Sequence, residues 1–162
     1  MAHVLVAHAS RHGSTTQVAE RIAGRVQASG HLADCCPART VRDPVGGYQL
    51  VVIGGALYSG RWHADARRFL KRHRSELTAL PVAVFGMGPR SDDLESWDRS
   101  RAQLDRALAR LPWLHPIAVT VFGGVDPAPR HGLPPRDARD WPSIDRWADD
   151  LLAWTRTTGD PK

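Results

Sequence analysis

Short apolar, β-branched runs alternate along this chain with longer stretches in which apolar residues recur every third or fourth position. That alternation predicts strands that each feed a helix, and so an α/β architecture on a parallel sheet. The strand-like runs are Val4 to His8, a weaker one near Leu32 to Cys36, Leu50 to Ile53, Val82 to Phe85, and Ile117 to Phe122. Val18, Ile22 and Val26 fall on one helical face, and Ala66, Phe69, Leu70, His73 and Leu77 on another. A third helix is expected to carry Leu104, Leu108 and Leu111, and a last one Ile144, Trp147, Leu151 and Trp154. Between the second and third strands only Pro37 to Tyr48 is available, and Pro44, Gly46 and Gly47 break any helix there. That length is the minimum for a crossover. Gly123 to Pro135, with four prolines, reads as a loop. No repeat or linker divides the chain, so residues 1–162 are expected to form one domain.

The hydrophobic fraction of 42% and charged fraction of 24% are those of a folded chain with a packed core, which excludes general disorder. Cys35 and Cys36 are adjacent, and neighbours rarely reach disulfide geometry, so both are read as small apolar residues of a reducing compartment. No apolar run approaches the roughly 20 residues of a membrane-spanning helix. Met1-Ala2-His3, leading at once into Val-Leu-Val, lacks the layout of a signal peptide. A cytoplasmic protein is expected.

In an open parallel sheet, ligands bind beyond the carboxyl ends of the strands, so the loops leaving those ends carry the candidate chemistry. After the first strand, Ser10-Arg11-His12-Gly13-Ser14-Thr15 opens directly onto a helix N-terminus. Backbone N–H groups, the helix dipole and the hydroxyls of Ser10, Ser14 and Thr15 suit a phosphate. Simple helix capping is the plain alternative, and both the Walker lysine and the G-x-G-x-x-G pattern are missing. After the third strand, Gly54-Gly55 are expected to end the strand, and Ala56 to Gly60, then Arg61-Trp62, to turn against a flat ligand. Tyr58 or Trp62 can stack on a ring face, or else cap the sheet edge. Gly86-Met87-Gly88-Pro89 forms a third such loop. His8, near the end of the first strand, is read as a structural histidine. Neither metal-ligand spacing nor a Ser-His-Asp constellation is present.

The stretch Val4 to Ala19 resembles the phosphate-loop signature of the flavodoxin-like family, with Ser10, Ser14 and Thr15 at the matching hydroxyl positions. Tyr48 to Gly55 followed by Tyr58-Ser59-Gly60 is similar to its second flavin-contacting loop, and Phe85-Gly86-Met87-Gly88 to its third. The closing Arg139-Asp140-Trp141, with Ile144 and Trp147, is similar to the start of the last helix in flavodoxin-domain proteins allied to menaquinone-dependent protoporphyrinogen dehydrogenase. The resemblance implies a flavodoxin-like three-layer sandwich with a five-stranded parallel sheet in the order 2-1-3-4-5, and one FMN. It places the phosphate at Ser10, Arg11, His12, Gly13, Ser14 and Thr15. It places the isoalloxazine between the loop of Ala56, Leu57, Tyr58, Ser59, Gly60 and Trp62 and that of Gly86, Met87, Gly88 and Pro89.

The function so implied is electron transfer, or a small flavin-dependent oxidoreductase acting on a quinone-like or other organic acceptor. A protoporphyrinogen dehydrogenase-like enzyme is one alternative, although the interval Gly123 to Arg139 is short and polar where those enzymes carry an extended apolar and basic insertion. A cofactor-free interaction module on the same fold is another.

Charge adds a last feature. Lys and Arg number 22 against 17 Asp and Glu, a net charge of +5, yet the sequence holds no helix-turn-helix, RNA-recognition or zinc motif, so nucleic acid is not an expected partner. The stretch from Arg61 to Arg74 holds Arg61, Arg67, Arg68, Lys71, Arg72 and Arg74 against Asp65 alone, which equals the whole net charge. A solvated helix face is the plain reading. Read functionally, Arg61, Arg67, Arg68, Lys71 and Arg72 are expected to dock a redox partner protein, a quinone-like small molecule or an anionic membrane surface beside the flavin.

Overall fold

A computed structural model of the chain describes residues 1–10, 13–58, 60–89, 93–126 and 136–158. Arg11, His12 and Ser59 among the expected site residues lie outside the described residues. In chain order the elements are β1 (His3–Ala9), α1 (Ser14–Ala28), β2 (Leu32–Pro37), β3 (Leu50–Tyr58), β4 (Arg61–Trp62), α2 (Ala64–Arg72), α3 (Arg74–Leu77), β5 (Val82–Met87), α4 (Leu94–Ala109), β6 (Ala118–Phe122), β7 (Val125–Asp126), β8 (Arg136–Asp137) and α5 (Trp141–Thr158). Five strands pair in parallel in the order β2-β1-β3-β5-β6, which is the expected 2-1-3-4-5 once the short β4, antiparallel to the end of β3, is set aside.

Alternation along each strand divides the core between two layers. Val4, Val6, Leu50, Val52, Ala83 and Phe85 face α1 and α5, where they meet Val18, Ile22, Val26, Ile144 and Leu151. Leu5, Ala7, Val51, Ile53, Val82 and Val84 face the other way, toward Trp62, Phe69, Leu70 and Leu104. Each fully buried side chain of this size contributes roughly 1.5–3 kcal/mol. The adjacent cysteines follow the same rule: Cys35 packs on the first layer and Cys36 on the second. Burial pushes the Cys35 thiol up to about 11 and raises that of Cys36.

Four expectations are corrected. Gly54 and Gly55 do not end β3, which runs on to Tyr58. A Cβ on Gly54 would stand 1.9 Å from Phe85 Cζ, and one on Gly55 2.7 Å from the indole nitrogen of Trp62. The glycine pair thus lets an aromatic side chain lie against each face of the sheet. The second helix is broken at His73, which is buried and donates from Nε2 to the Val41 carbonyl at 2.9 Å. The span called a loop from Gly123 onward carries the antiparallel pair β7–β8 at its stem, while residues 127–135 lie outside the described residues. Leu111 lies beyond the end of α4, although it is buried as expected.

The link from β2 to β3 contains a single 3-10 turn, Ala38–Thr40, and no α-helix. It is pinned instead by the Glu76 carboxylate, which accepts from the backbone N–H groups of Val45 and of Gly46, the latter at 2.6 Å.

Candidate functional site

The first loop is shaped by its own hydroxyl. Ser10 Oγ accepts from the Gly13 N–H at 3.0 Å, and Gly13, at φ 83°, takes the left-handed conformation before α1. A left-handed backbone of this kind suits glycine. Among the described residues no side chain caps α1 and no acid stands in its first turn, so Ser14 and Thr15 do not act as its caps. The first N–H groups of the helix therefore keep their affinity for an anion. Within that turn Thr15 is wholly buried, and its Oγ1 has no hydrogen-bond partner among the described residues. A buried hydroxyl left unpaired costs about 1–3 kcal/mol, and an oxyanion seated at the α1 N-terminus would supply the acceptor. Ser14 is half-buried beside it.

His8 is buried, with Nδ1 3.2 Å from Thr16 Oγ1, and burial lowers its pKa below the ordinary 6.5 despite the opposing field of Glu20. Burial thus favours its neutral form. Arg139 reaches back from the start of α5 to donate to Gln17 in α1, and its Nη2 donates to Asp137 at 2.8 Å. Its guanidinium also lies 4.9 Å from the Trp141 ring centroid. The Arg139-Asp140-Trp141 stretch thus ties α5 to the first turn of α1, with its arginine already neutralised by Asp137.

The second and third loops meet in one place. Leu57 and Tyr58 at the end of β3, Gly88 and Pro89 after β5, and Ser96, Arg99, Ser100 and Gln103 of α4 line a cleft of about 400 Å³. Its walls rise from the same sheet edge as the first loop, because Ala9 pairs with Gly55 and Ala56 with Met87. Tyr58 is half-buried, its ring centroid 6.3 Å from that of His63.

Other expected site residues lie elsewhere. Trp62 is 1% exposed, and its Nε1 donates to the Gly55 carbonyl at 3.1 Å, so it anchors β4 in the core and offers no open face for stacking. Of the two aromatics, Tyr58 is the one that lines the cleft. Ala56, Gly86 and Met87 are buried strand residues. Gly86 is small so that Leu57 and Leu104 can close over it, and Gly88 so that Ser100 of α4 can approach. Gly60 has φ 79° and only Gln103 within 4 Å of an added Cβ, which fits the tight turn expected there. The α4 side of the cleft was missed, although Ser96, Ser100 and Gln103 recur at helical spacing beside Leu104.

The basic stretch also divides. Arg68 is paired with Asp65 at 3.5 Å and Arg72 donates to the Val41 carbonyl at 3.2 Å, whereas Arg61 and Arg67 turn toward α4. A separate cleft of about 450 Å³ between β6 and α5 draws on none of the three loops that follow β1, β3 and β5. Among the described residues no group of three or more His, Cys, Asp or Glu could hold a metal, and no helix is long and apolar enough to cross a membrane.

Comparison with known proteins places this geometry. The family model described as "Flavodoxin domain" matches residues 5–130. Protoporphyrinogen IX dehydrogenase [quinone] of Escherichia coli K12 is 27% identical over 84 residues, 51% of this chain and 46% of that protein; the match thus spans less than half of the relative. Among solved structures, oxidised flavodoxin 1 from Bacillus cereus superposes with a TM-score of 0.66 at 16% identity, covering 93% of this chain and 97% of that one. Rubredoxin oxygen:oxidoreductase from Desulfovibrio gigas superposes with a TM-score of 0.65 at 14% identity, covering 98% of this chain but 37% of that one.

Proposed function

The chain belongs to the flavodoxin-domain family of FMN-binding electron-transfer proteins, and from that premise we propose that it is an oxidoreductase passing electrons to a quinone-like organic acceptor. The observation that carries the reading is the unpartnered, buried Thr15 hydroxyl in an uncapped first turn, on the sheet edge that also bears the Tyr58 cleft. FMN, when bound, supplies the redox chemistry. The protein's part is to bind, orient and shield. Thr15 Oγ1, the α1 N–H groups and the Ser10–Gly13 turn hold the phosphate. Tyr58 offers a ring face at one wall of the cleft, and Pro89 with the backbone at Gly88 forms the other. Ser96, Ser100 and Gln103 supply polar contacts along α4. Among the described residues the cleft lining holds Arg99 and no carboxylate, which favours negative charge there, while Asp93, which accepts from Ser96 N and Oγ at 2.8 and 2.7 Å, tempers that field. The expected consequence is a less negative two-electron potential than in a strongly acidic member of the fold. The acceptor class is supported by the Escherichia coli relative, whose name specifies a quinone.

Titration of the protein with FMN and with riboflavin, which lacks the phosphate, tests the reading. FMN is expected to bind more tightly, and Thr15→Val to remove about tenfold or more of that preference, one charge-assisted hydrogen bond. Because the variant also deletes an unsatisfied buried hydroxyl, its thermal stability in the absence of FMN should not fall. A protein that takes up neither flavin overturns the reading and favours the interaction module.

A further inference from the structure

Four arginines from three elements line one cavity beside the Tyr58 cleft. They are Arg61 from β4, Arg67 from α2, and Arg106 and Arg110 at the end of α4, and the cavity, of about 140 Å³, is completed by Gly60, Trp62, Gln103 and Ala107. Gln103, Arg106, Ala107 and Arg110 follow the i, i+3, i+4, i+7 pattern of a single helical face. The lining includes no carboxylate, and none of the four arginines forms an ion pair among the described residues. Arg67 is held in place, its Nε donating to the Trp62 carbonyl at 3.2 Å. The carbonyls ending α4 favour cations near that terminus, which accounts for Arg106 and Arg110 but not for Arg61 and Arg67 arriving from two other elements.

From this arrangement we propose that the cavity is an oxyanion seat, binding a carboxylate or phosphate group of a small organic molecule. Arginine forks match both groups bidentately, and several positive charges held together without a counter-ion are relieved when an anion enters. The volume is below the ~300 Å³ at which pockets for whole ligands begin, so the seat takes the charged group and leaves the remainder outside. Gln103 lines both cavities, and Arg61 pairs across the turn with Tyr58, so the remainder of the molecule is carried over Gly60 toward the Tyr58 cleft. The proposed redox function, on which this role rests, thereby gains a substrate class: an acceptor or donor bearing an acidic group.

The anion seat is tested without flavin. Protein labelled with ¹⁵N at arginine is titrated with succinate, with inorganic phosphate and with uncharged succinamide while the side-chain Nε–Hε resonances are followed. Shifts concentrated on Arg61, Arg67, Arg106 and Arg110, absent with succinamide and weakened about tenfold in apparent affinity by Arg106→Gln with Arg110→Gln, are expected. Response to succinate alone or phosphate alone assigns the group. No shift, or shifts spread evenly over the surface arginines, overturns the seat.

Arg106→Lys keeps the charge and loses the fork, so it separates anion recognition from folding: it should bind weakly yet melt like the parent. In FMN-loaded protein, a quinone bearing an acetate side chain should reoxidise the reduced protein with a lower KM than its amide, and the double glutamine variant should erase that difference. Equal KM values overturn the substrate role, as does loss of the phosphate response on loading FMN, which would make the cavity the seat of FMN's own phosphate. Failure to take up FMN at all defeats the proposed redox function, while the arginine resonances still decide the seat.

Discussion

Arginines four residues apart occur on both sides of the sheet, and they meet opposite fates. On the α1–α5 side, Arg21 forms a two-pronged pair with Asp145, both contacts at 2.8 Å, and Arg25 does the same with Asp149 at 3.2 and 2.5 Å. The carboxylates repeat at the same spacing as the arginines, so the two helices are laced along their outer edge, and the pairing holds Asp145 below the usual carboxylate range. On the α2–α4 side, Arg106 and Arg110 share that spacing but face two more arginines. Residue type and spacing are therefore common to a structural seam and a candidate binding seat. What separates them is whether a carboxylate stands opposite.

The largest test of this contrast goes to the boundary between the layers. Gly54→Ala drives a methyl into the Phe85 ring on the α1–α5 side, and Gly55→Ala drives one toward Trp62 on the other. Overpacking costs about 1–3 kcal/mol and occasionally more. Urea denaturation is expected to put Gly54→Ala at or beyond the top of that range and Gly55→Ala within it. The reverse order would make the arginine-lined layer the more rigid one.

Charge reversal comes next. Arg21→Glu, facing Asp145, should lower Tm, whereas Arg106→Glu, facing Arg61 and Arg110, should raise it. Both shifts should shrink at about 1 M salt, where the Debye length is roughly 3 Å. A fall in both variants would mean that the α4 arginines already have a stabilising partner, and would erase the contrast.

The smallest effect is titration of His8, which belongs to the seam's half through Thr16 of α1. Its folded pKa lies below 6.5. The unfolded chain therefore takes up the proton first, and stability, full above 6.5, declines as pH falls through 6.5 toward the folded value. His8→Gln should flatten that part of the Tm-against-pH curve.

Hydrophobic alternation was enough to anticipate the five parallel strands and the helices on either face, because each strand here is buried on both sides or edges a buried one. The glycine pair misled, since Gly-Gly reads as a strand end when the rings it accommodates, Phe85 at Gly54 and Trp62 at Gly55, lie 31 and 7 residues away along the chain. Trp62 misled for a related reason: a tryptophan two residues after a turn glycine looks exposed, and only the antiparallel pairing with Leu57 turns its indole inward. The hydroxyl loop was legible as a candidate anion site. That Thr15 in particular would be buried without a partner was not, because burial there depends on how α1 packs on β1 and β3. The arginine cavity was half legible, as a basic stretch whose partners from α4 come some 40 residues later.

Cys35 and Cys36 gain a use from lying side by side while facing different layers. Local opening events expose groups in cooperative units, and a partly covered thiol reacts faster when its unit opens. Both thiols are half-buried and their pKa is raised, so alkylation in the closed state is slowed and such opening quickens it. In the two single-cysteine variants, the rate of native-state alkylation becomes a clock for each layer, read from the same strand at neighbouring peptide bonds. A faster clock at Cys36 would identify the arginine-lined layer as the one that breathes.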